Sequence, residues 1–174
     1  NISAAIVPDR TAVIFEEKRF TYLQIEKRST LLANALKRMG VNPKDRIAIM
    51  DVNCNEHIEL YSACAKLDAI YVPLNFRGNR DEIEFILRDS RPKVLLAGSR
   101  YLELLQSLDE SLSSSMSLIR IEESEDNSSS YKTLLDGSEK QEIIPAGLDE
   151  DVIILMYTAG TTGKPKGVML THEN

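Results

Sequence analysis

Short apolar runs alternate with longer amphipathic segments through most of this chain, and this alternation limits the folds open to it. Residues 46–50, 69–74 and 93–97 are predicted strands that are buried on both faces, because their sequences are almost continuously apolar. Strands separated by helices need crossover connections, and such connections make neighbouring strands parallel. The pattern therefore predicts the α/β class, with a mostly parallel sheet flanked by helices in a Rossmann-like, three-layer arrangement.

Capping signals locate the helices between these strands. Thr21 and Gln24 form a capping-box pattern that begins a helix, and Gly40 is expected to close it. Asn79 is expected to cap another helix, which ends before Pro92. The remaining predicted elements are a hairpin over 12–22, a helix after 55, a helix from 99 and a strand over 117–121.

Composition and charge exclude several functional classes. The 27 acidic residues outnumber the 21 basic ones, and the net charge of −6 argues against a surface that binds duplex nucleic acid. No run approaches the ~20 apolar residues of a transmembrane segment, and the N-terminal residues lack the pattern of a signal peptide. Cys54 and Cys64 are too few for a disulfide framework and are expected to be buried thiols, which predicts a cytoplasmic protein.

The segment from Tyr157 to Asn174, YTAGTTGKPKGVMLTHEN, has a distinctive chemical pattern. Its loop is rich in hydroxyl groups and in glycine, so successive backbone N–H groups can converge on an anion. Lys164 and Lys166 place positive charge beside this loop in an otherwise acidic chain. A polyphosphate is the type of ligand that suits this combination.

The loop is not a P-loop of the Walker type. Thr158 occupies the place of the first glycine, and Pro165 follows Lys164 where Ser or Thr is required. Residues 151–158 and 167–172 are apolar and predict a strand on each side, so we expect the loop to join two strands. Composition alone leaves an ordinary hairpin loop that contains Gly and Thr as an open alternative.

Residues 157–174 resemble the signature loop of the AMP-forming acyl-CoA synthetases and their adenylate-forming relatives. The family pattern is Tyr-Thr-Ser-Gly-Thr-Thr-Gly, one variable residue and Pro-Lys-Gly, and this sequence departs from it only at Ala159. Residues 20–36 and 65–97 are also similar to the family, except that Asp68 stands where glycine is expected. The resemblance covers nearly the whole chain apart from a serine-rich stretch.

The resemblance implies an ATP-dependent ligase that joins a carboxylic acid to CoA through an acyl-adenylate, with release of AMP and pyrophosphate. A fatty acid is the expected substrate. In the family this loop wraps the β- and γ-phosphates of ATP, which implies Lys166 as the catalytic residue and Thr158 as the residue associated with Mg²⁺. The implied cofactor-binding residues are Thr158, Ala159, Gly160, Thr161, Thr162, Gly163, Lys164 and Lys166.

The resemblance also implies that residues 1–174 are the first part of the large N-terminal domain of such an enzyme. The expected organisation is a hairpin and helix over 11–39, βαβ units over 46–121, a mobile serine-rich segment over 111–130 and the phosphate-loop strand pair over 151–172. The family's adenine-, ribose- and CoA-binding segments come later, so we expect this N-terminal fragment to be inactive alone. Apolar surface that those segments would cover predicts a homodimer.

Two other functions stay open on the sequence alone: a non-catalytic nucleotide-binding module that retains the loop, and a domain used only for assembly. A histidine-based metal site or triad is not expected, because His57 and His172 are the only histidines. His57 lies beside Glu56 and Glu59 on a predicted amphipathic helix, where a solvated surface position is expected.

Overall fold

A six-stranded sheet forms the centre of the protein in a computed structural model, which describes residues 2–122, 130–138, 141, 143–158 and 164–174. A separate two-stranded hairpin precedes this sheet. The elements in chain order are α1 Ile2–Ile6, β1 Thr11–Phe15, β2 Lys18–Thr21, α2 Tyr22–Arg38, β3 Arg46–Met50, α3 Asn55–Leu67, β4 Ile70–Pro73, α4 Arg80–Ser90, β5 Val94–Ala97, α5 Leu102–Gln106, α6 Glu110–Ser113, β6 Ser117–Arg120, α7 Tyr131–Asp136, β7 Val152–Thr158 and β8 Lys166–Thr171.

The strand order in the sheet is β6-β5-β3-β4-β7-β8. All neighbouring pairs from β6 to β7 are parallel, and β8 alone pairs antiparallel, with β7. The predicted mostly parallel sheet is therefore confirmed. β8 forms one edge of the sheet. It is antiparallel to β7 because two adjacent strands joined by a short loop have to reverse direction.

Helices cover both faces of the sheet and create two apolar cores, which confirms the three-layer arrangement. Along β3, Ile47 and Ile49 face a core that α2, α3 and α7 complete. Ala48 and Met50 face the opposite core, which α4, α5 and α6 complete. All four side chains are fully buried, as the continuous apolar pattern of a parallel strand predicts.

The predicted helix caps form as expected. The Thr21 hydroxyl accepts a hydrogen bond from the Gln24 N–H at 3.2 Å, and the Gln24 side chain accepts one from the Thr21 N–H at 2.8 Å. The Asn79 side chain accepts from the Glu82 N–H at 2.9 Å. Gly40 follows α2 with φ of +83°, a conformation that glycine adopts without steric cost.

Regular structure extends into the serine-rich stretch 111–130. α6 begins one residue before this stretch, and β6 lies inside it. Both elements are anchored because Leu112 and Ile119 bury their side chains in the two cores. Residues 123–129, where the mobility prediction also falls, lie outside the described residues. The helix expected from Ser99 is shorter than its pattern indicated, since a 3₁₀ turn over Ser99–Tyr101 precedes α5.

Asp68 ends α3 in the left-handed conformation, with φ of 53°, at the position where the family resemblance led us to expect glycine. Aspartate is one of the few non-glycine residues that visits this region, because its short polar side chain can hydrogen-bond locally. Here its carboxylate accepts from the N–H of Ala146 at 2.8 Å. The substitution therefore keeps the turn and ties it to the segment that leads into β7.

The acidic side of α3 is buried by neighbouring helices. Glu59 is fully buried and accepts hydrogen bonds from Arg28 at 2.7 Å, from Asn55 at 2.8 Å and from the Tyr131 hydroxyl. These partners come from α2, α3 and α7, so the acidic side of α3 is enclosed by helices rather than by water. We refer to Glu59, Arg28, Asn55 and Tyr131 as the Glu59 network.

His57 is half-buried rather than solvated. Its Nδ1 lies 2.6 Å from the Tyr71 hydroxyl, and its Nε2 lies 3.3 Å from the carbonyl oxygen of Asp51. Burial lowers the pKa of His57, because the imidazolium form loses hydration there, and this loss exceeds the opposing effect of Asp51.

Candidate functional site

The predicted loop joins the two strands of an antiparallel hairpin, as expected. Thr158 at the end of β7 lies directly opposite Lys166 at the start of β8 in the strand register. The loop residues between these strands include five predicted binding residues that lie outside the described residues: Ala159, Gly160, Thr161, Thr162 and Gly163.

The register brings two predicted site residues together. Opposite residues of an antiparallel pair direct their side chains to the same face. The Thr158 hydroxyl and the Lys166 ammonium therefore share one face of the hairpin, and both residues are exposed. Within the described part of the chain, no ion pair occupies Lys166. The charge of Lys166 is accessible to a ligand on this face.

Gly167 is required for the close packing of the hairpin beside the loop. A Cβ atom at this position would lie 3.0 Å from Leu155 Cδ1 and 3.4 Å from the ring of Tyr157, its partner in the register. The glycine of the Pro-Lys-Gly motif thus lets the Tyr157 ring cross the neighbouring strand. A larger residue would require the Leu155 side chain and the Tyr157 ring to shift by a few tenths of an ångström.

Helix α4 contacts both ends of the loop. The Tyr157 hydroxyl, one residue before Thr158, donates a hydrogen bond to Asp89 Oδ2 at 2.5 Å. The Lys164 ammonium, on the other side of the loop, lies 5.8 Å from the ring centroid of Phe85. Sequence reasoning missed both contacts, and no local signal in α4 identifies their partners on the hairpin.

Two cavities lie near the sheet. One of about 670 Å³ is lined by residues at the carboxyl ends of β3, β5 and β6 and carries both charge signs, including Asp51, Arg100 and Glu122. A second of about 450 Å³ runs along β7 and includes Tyr157, Asp89 and Gly167 in its lining. Thr158, Lys164 and Lys166, the predicted phosphate-contacting residues that the structure describes, line neither cavity and lie at an open surface.

The described residues contain no cluster of three or more His, Cys, Asp and Glu side chains that could hold a metal ion. Thr158 offers a single hydroxyl oxygen. One hydroxyl oxygen is enough for Mg²⁺ only where the substrate phosphates supply other ligands, as they do in many nucleotide-binding sites.

His172 lies away from the loop. Its backbone N–H donates to the Asp151 carbonyl at 3.3 Å, at the end of the hairpin where Val152 pairs with Thr171. The acidic stretch 149–151 lies at that same end and leads into β7, as a linker would. The described helices also include none that is long and apolar enough to cross a membrane.

The fold defines a three-layer α/β protein of the kind that places ligands beyond the carboxyl ends of its parallel strands, which is where β7 ends at Thr158. Comparison with known sequences gives the family. The chain belongs to the AMP-binding enzyme family, whose sequence model matches residues 2–174.

Known relatives agree in sequence and in fold. A feruloyl-CoA synthase from Amycolatopsis is 37% identical over 172 residues, a match that covers 98% of this chain and 32% of that protein. A fatty acyl-CoA synthetase from Mycobacterium tuberculosis superposes with a TM-score of 0.85 at 29% identity, over 99% of this chain and 33% of that structure. The anthranilate-CoA ligase AuaEII, at 24% identity, shows the same fold with a TM-score of 0.90, over 99% of this chain and 32% of that structure.

Proposed function

We propose that the protein to which these residues belong is an ATP-dependent ligase that joins a carboxylic acid to CoA. The reaction forms an acyl-adenylate and pyrophosphate from the acid and ATP, and then an acyl-CoA and AMP. The observation that carries the proposal is the hairpin, where the family loop begins at Thr158 and the register sets Lys166 beside it. The chain spans about a third of the length of the feruloyl-CoA synthase, 32%, so the complete reaction needs residues beyond those described above.

The site residues have distinct proposed roles. Backbone N–H groups and hydroxyls of residues 160–163 bind the β- and γ-phosphate oxygens, with Ala159 as part of the same backbone run. Lys166 neutralises the negative charge that the phosphates hold during adenylation, and Lys164 adds positive potential beside the loop. Support comes from the exposure of Lys166, which leaves its ammonium group accessible to an anion.

Thr158 would hold Mg²⁺ together with the phosphate oxygens of ATP. When bound, the ion supplies charge that stabilises the polyphosphate during the transfer. The Thr158 hydroxyl at the end of β7 would supply one oxygen ligand to the ion, and Lys166 on the opposite strand would contact the phosphate oxygens.

For the acid, we propose a fatty acid. The likeness to the fatty acyl-CoA synthetase over 99% of this chain supports this choice. The feruloyl-CoA synthase, which is named for an aromatic acid, makes a substituted cinnamic acid the competing substrate class. CoA is the proposed acceptor because both of these relatives are named for CoA thioesters.

We further propose that the 174 residues alone do not catalyse adenylation, and that they self-associate as a homodimer. Support for a homodimer comes from β8, which is an edge strand of the sheet and leaves Met169 66% exposed and Val168 43% exposed. A cytoplasmic location is proposed on the two free thiols, Cys54 and Cys64.

ATP–pyrophosphate exchange tests the proposed function. The complete protein is assayed with a panel of fatty and aromatic carboxylic acids, and the 174 residues are assayed in parallel. We expect acid-dependent exchange in the complete protein only, with thioester formation after CoA is added. ATP binding without exchange in the complete protein would instead favour the non-catalytic nucleotide-binding module. Absence of ATP binding there would favour a domain used for assembly.

A further inference from the structure

Two side chains of α4 meet the phosphate loop at its opposite ends. Asp89 accepts the hydrogen bond of Tyr157 just before the loop, and Phe85 places its ring under Lys164 just after it. Phe85 and Asp89 are four residues apart on the helix, so they lie on the same side and one turn apart. One helix face therefore contacts both the entry and the exit of a loop whose sequence is rich in glycine.

Helix α4 is a firm support for such contacts. Its N-terminus is capped by Asn79, and Ile83, Ile86 and Leu87 are buried in the core beneath it. Tyr157 packs its ring against the same core, so the phenol approaches Asp89 from a fixed direction. A contact made by α4 therefore links Tyr157 and Lys164, on either side of the loop, to a helix that is anchored in the core.

The chemistry of the two contacts suits a positioning role. A hydrogen bond from a hydroxyl to a carboxylate is among the stronger kinds, and the 2.5 Å separation of Tyr157 and Asp89 is typical of it. Burial and the Asp89 carboxylate raise the pKa of Tyr157, so its hydroxyl keeps the proton that it donates. The Lys164 ammonium over the Phe85 ring is a cation–π contact.

We propose that Asp89 and Phe85 are positioning residues for the phosphate site, because they fix Tyr157 and Lys164, the residues on either side of the loop. Lys164 then acts through the loop backbone, whereas Lys166 on the adjacent strand supplies its charge directly to phosphate. The inference rests on the proposed function for its effect on ATP, and on the described contacts alone for its effect on the loop. When the residues on either side of a loop are fixed, less conformational freedom is left to lose on ligand binding, so ATP binds more tightly.

The test uses Asp89→Ala, Tyr157→Phe and the double variant in the complete protein, with Asp81→Asn as the matched control. Asp81 is an acid of the same helix whose side chain is 93% exposed. Backbone hydrogen–deuterium exchange over 158–166 is measured without ATP, and KM for ATP and kcat are measured by ATP–pyrophosphate exchange. A Phe85→Leu variant keeps an apolar side chain under Lys164 and removes the ring.

Both single variants are expected to speed amide exchange in the loop and to raise KM for ATP about three- to tenfold, with kcat nearly unchanged, because Asp89 is exposed and solvent weakens a hydrogen bond to an exposed charge. The double variant is expected to match the singles, because both remove the same contact. Phe85→Leu is expected to act in the same direction and more weakly, and Asp81→Asn is expected to change neither quantity.

Unchanged amide exchange in Asp89→Ala and Tyr157→Phe would overturn the inference, and so would additive effects in the double variant. A wild-type protein that fails to use ATP would reject the proposed function instead. In that case the amide exchange still decides whether α4 holds the loop.

Discussion

The Glu59 network and the β7–β8 hairpin use charge in opposite ways. In the network, a fully buried carboxylate is surrounded by donors from α2, α3 and α7. At the hairpin, the Lys166 ammonium is exposed, and no described acid pairs with it. Removing one partner of a buried charge destabilises the protein, whereas a charge without a partner is available to a ligand. The comparison predicts that stability and chemistry respond to different variants.

The largest effect is expected from Glu59→Ala. This change leaves the Arg28 guanidinium, whose side chain is 32% exposed, and the buried Tyr131 hydroxyl without their shared acceptor. Breaking a buried pair by removal of one partner costs about 3–5 kcal/mol, so the free energy of unfolding in urea should fall by that amount. Glu84→Ala removes only α4 surface pairs, such as the one with Arg88, and should cost less than about 1 kcal/mol. Similar losses for the two variants would contradict a special role for the network.

The next effect concerns activity. Lys166→Ala in the complete protein should reduce kcat/KM for ATP about tenfold to a hundredfold, because hydrogen bonds to charged groups contribute about 1.5–3 kcal/mol. Thr161→Ala and Thr162→Ala should lose less, since a neighbouring backbone N–H can serve the same phosphate oxygen. ATP–pyrophosphate exchange measures the loss, and the melting temperature should hardly change.

Lys27→Ala is the control for this prediction, because Lys27 is exposed on α2. It removes the same charge from the protein and should leave the exchange rate unchanged. A Lys166→Ala enzyme with the exchange rate of the wild type would mean that phosphate is bound elsewhere.

A smaller effect on the free energy of unfolding is expected when pH changes the protonation of His57. Burial lowers the pKa of His57 in the folded protein from its ordinary value of 6.5. Between that value and the lower folded pKa, the unfolded chain binds more protons than the folded one. His57 therefore stabilises the protein above pH 6.5 relative to lower pH, and stability is lost as pH falls below 6.5.

Urea unfolding from about pH 7.5 down to about pH 5, the range in which histidine titrates, checks this prediction. His57→Gln should flatten the part of the pH dependence that lies below 6.5. His172→Gln, which removes the other histidine at an exposed position, is the control. A His57→Gln profile that overlays the wild type would show that this side chain does not contribute.

The smallest effect on stability is expected at the sheet edge. Met169→Lys should weaken self-association of the 174 residues without changing their unfolding, because Met169 is 66% exposed on the edge strand β8. Light scattering at high protein concentration measures the change. Ile144→Lys is the control, since Ile144 is 84% exposed but lies outside the strands. Equal effects of the two variants would indicate general stickiness rather than an edge contact.

Much of the fold could be predicted because its signals are local. The apolar runs of β3, β4 and β5, the capping box at Thr21 and the cap at Asn79 each depend on residues within a few positions of one another. The hairpin that carries the loop was equally accessible, since two apolar runs flank a short turn-like segment. α7 was missed, because it has only six residues and follows a polar stretch.

Charged residues on helices were the least predictable. The pattern of α3 predicted a solvated position for His57 beside Glu56 and Glu59, because the polar face of an amphipathic helix is usually solvated. Here α2 and α7 cover the acidic side of that face, so Glu59 became a buried partner. No periodicity in α3 reveals this, because the covering helices come from distant parts of the chain.

The sequence by itself determined the main strands and the longer helices, two helix caps and the loop motif with its lysines, because each depends on neighbouring residues. Only the tertiary structure decided that Glu59 is enclosed and that Tyr157 meets Asp89, which is 68 positions away in the chain. The physical reason is that burial and hydrogen bonding between distant residues depend on how helices pack on the sheet. That packing is a property of the whole chain and not of any segment.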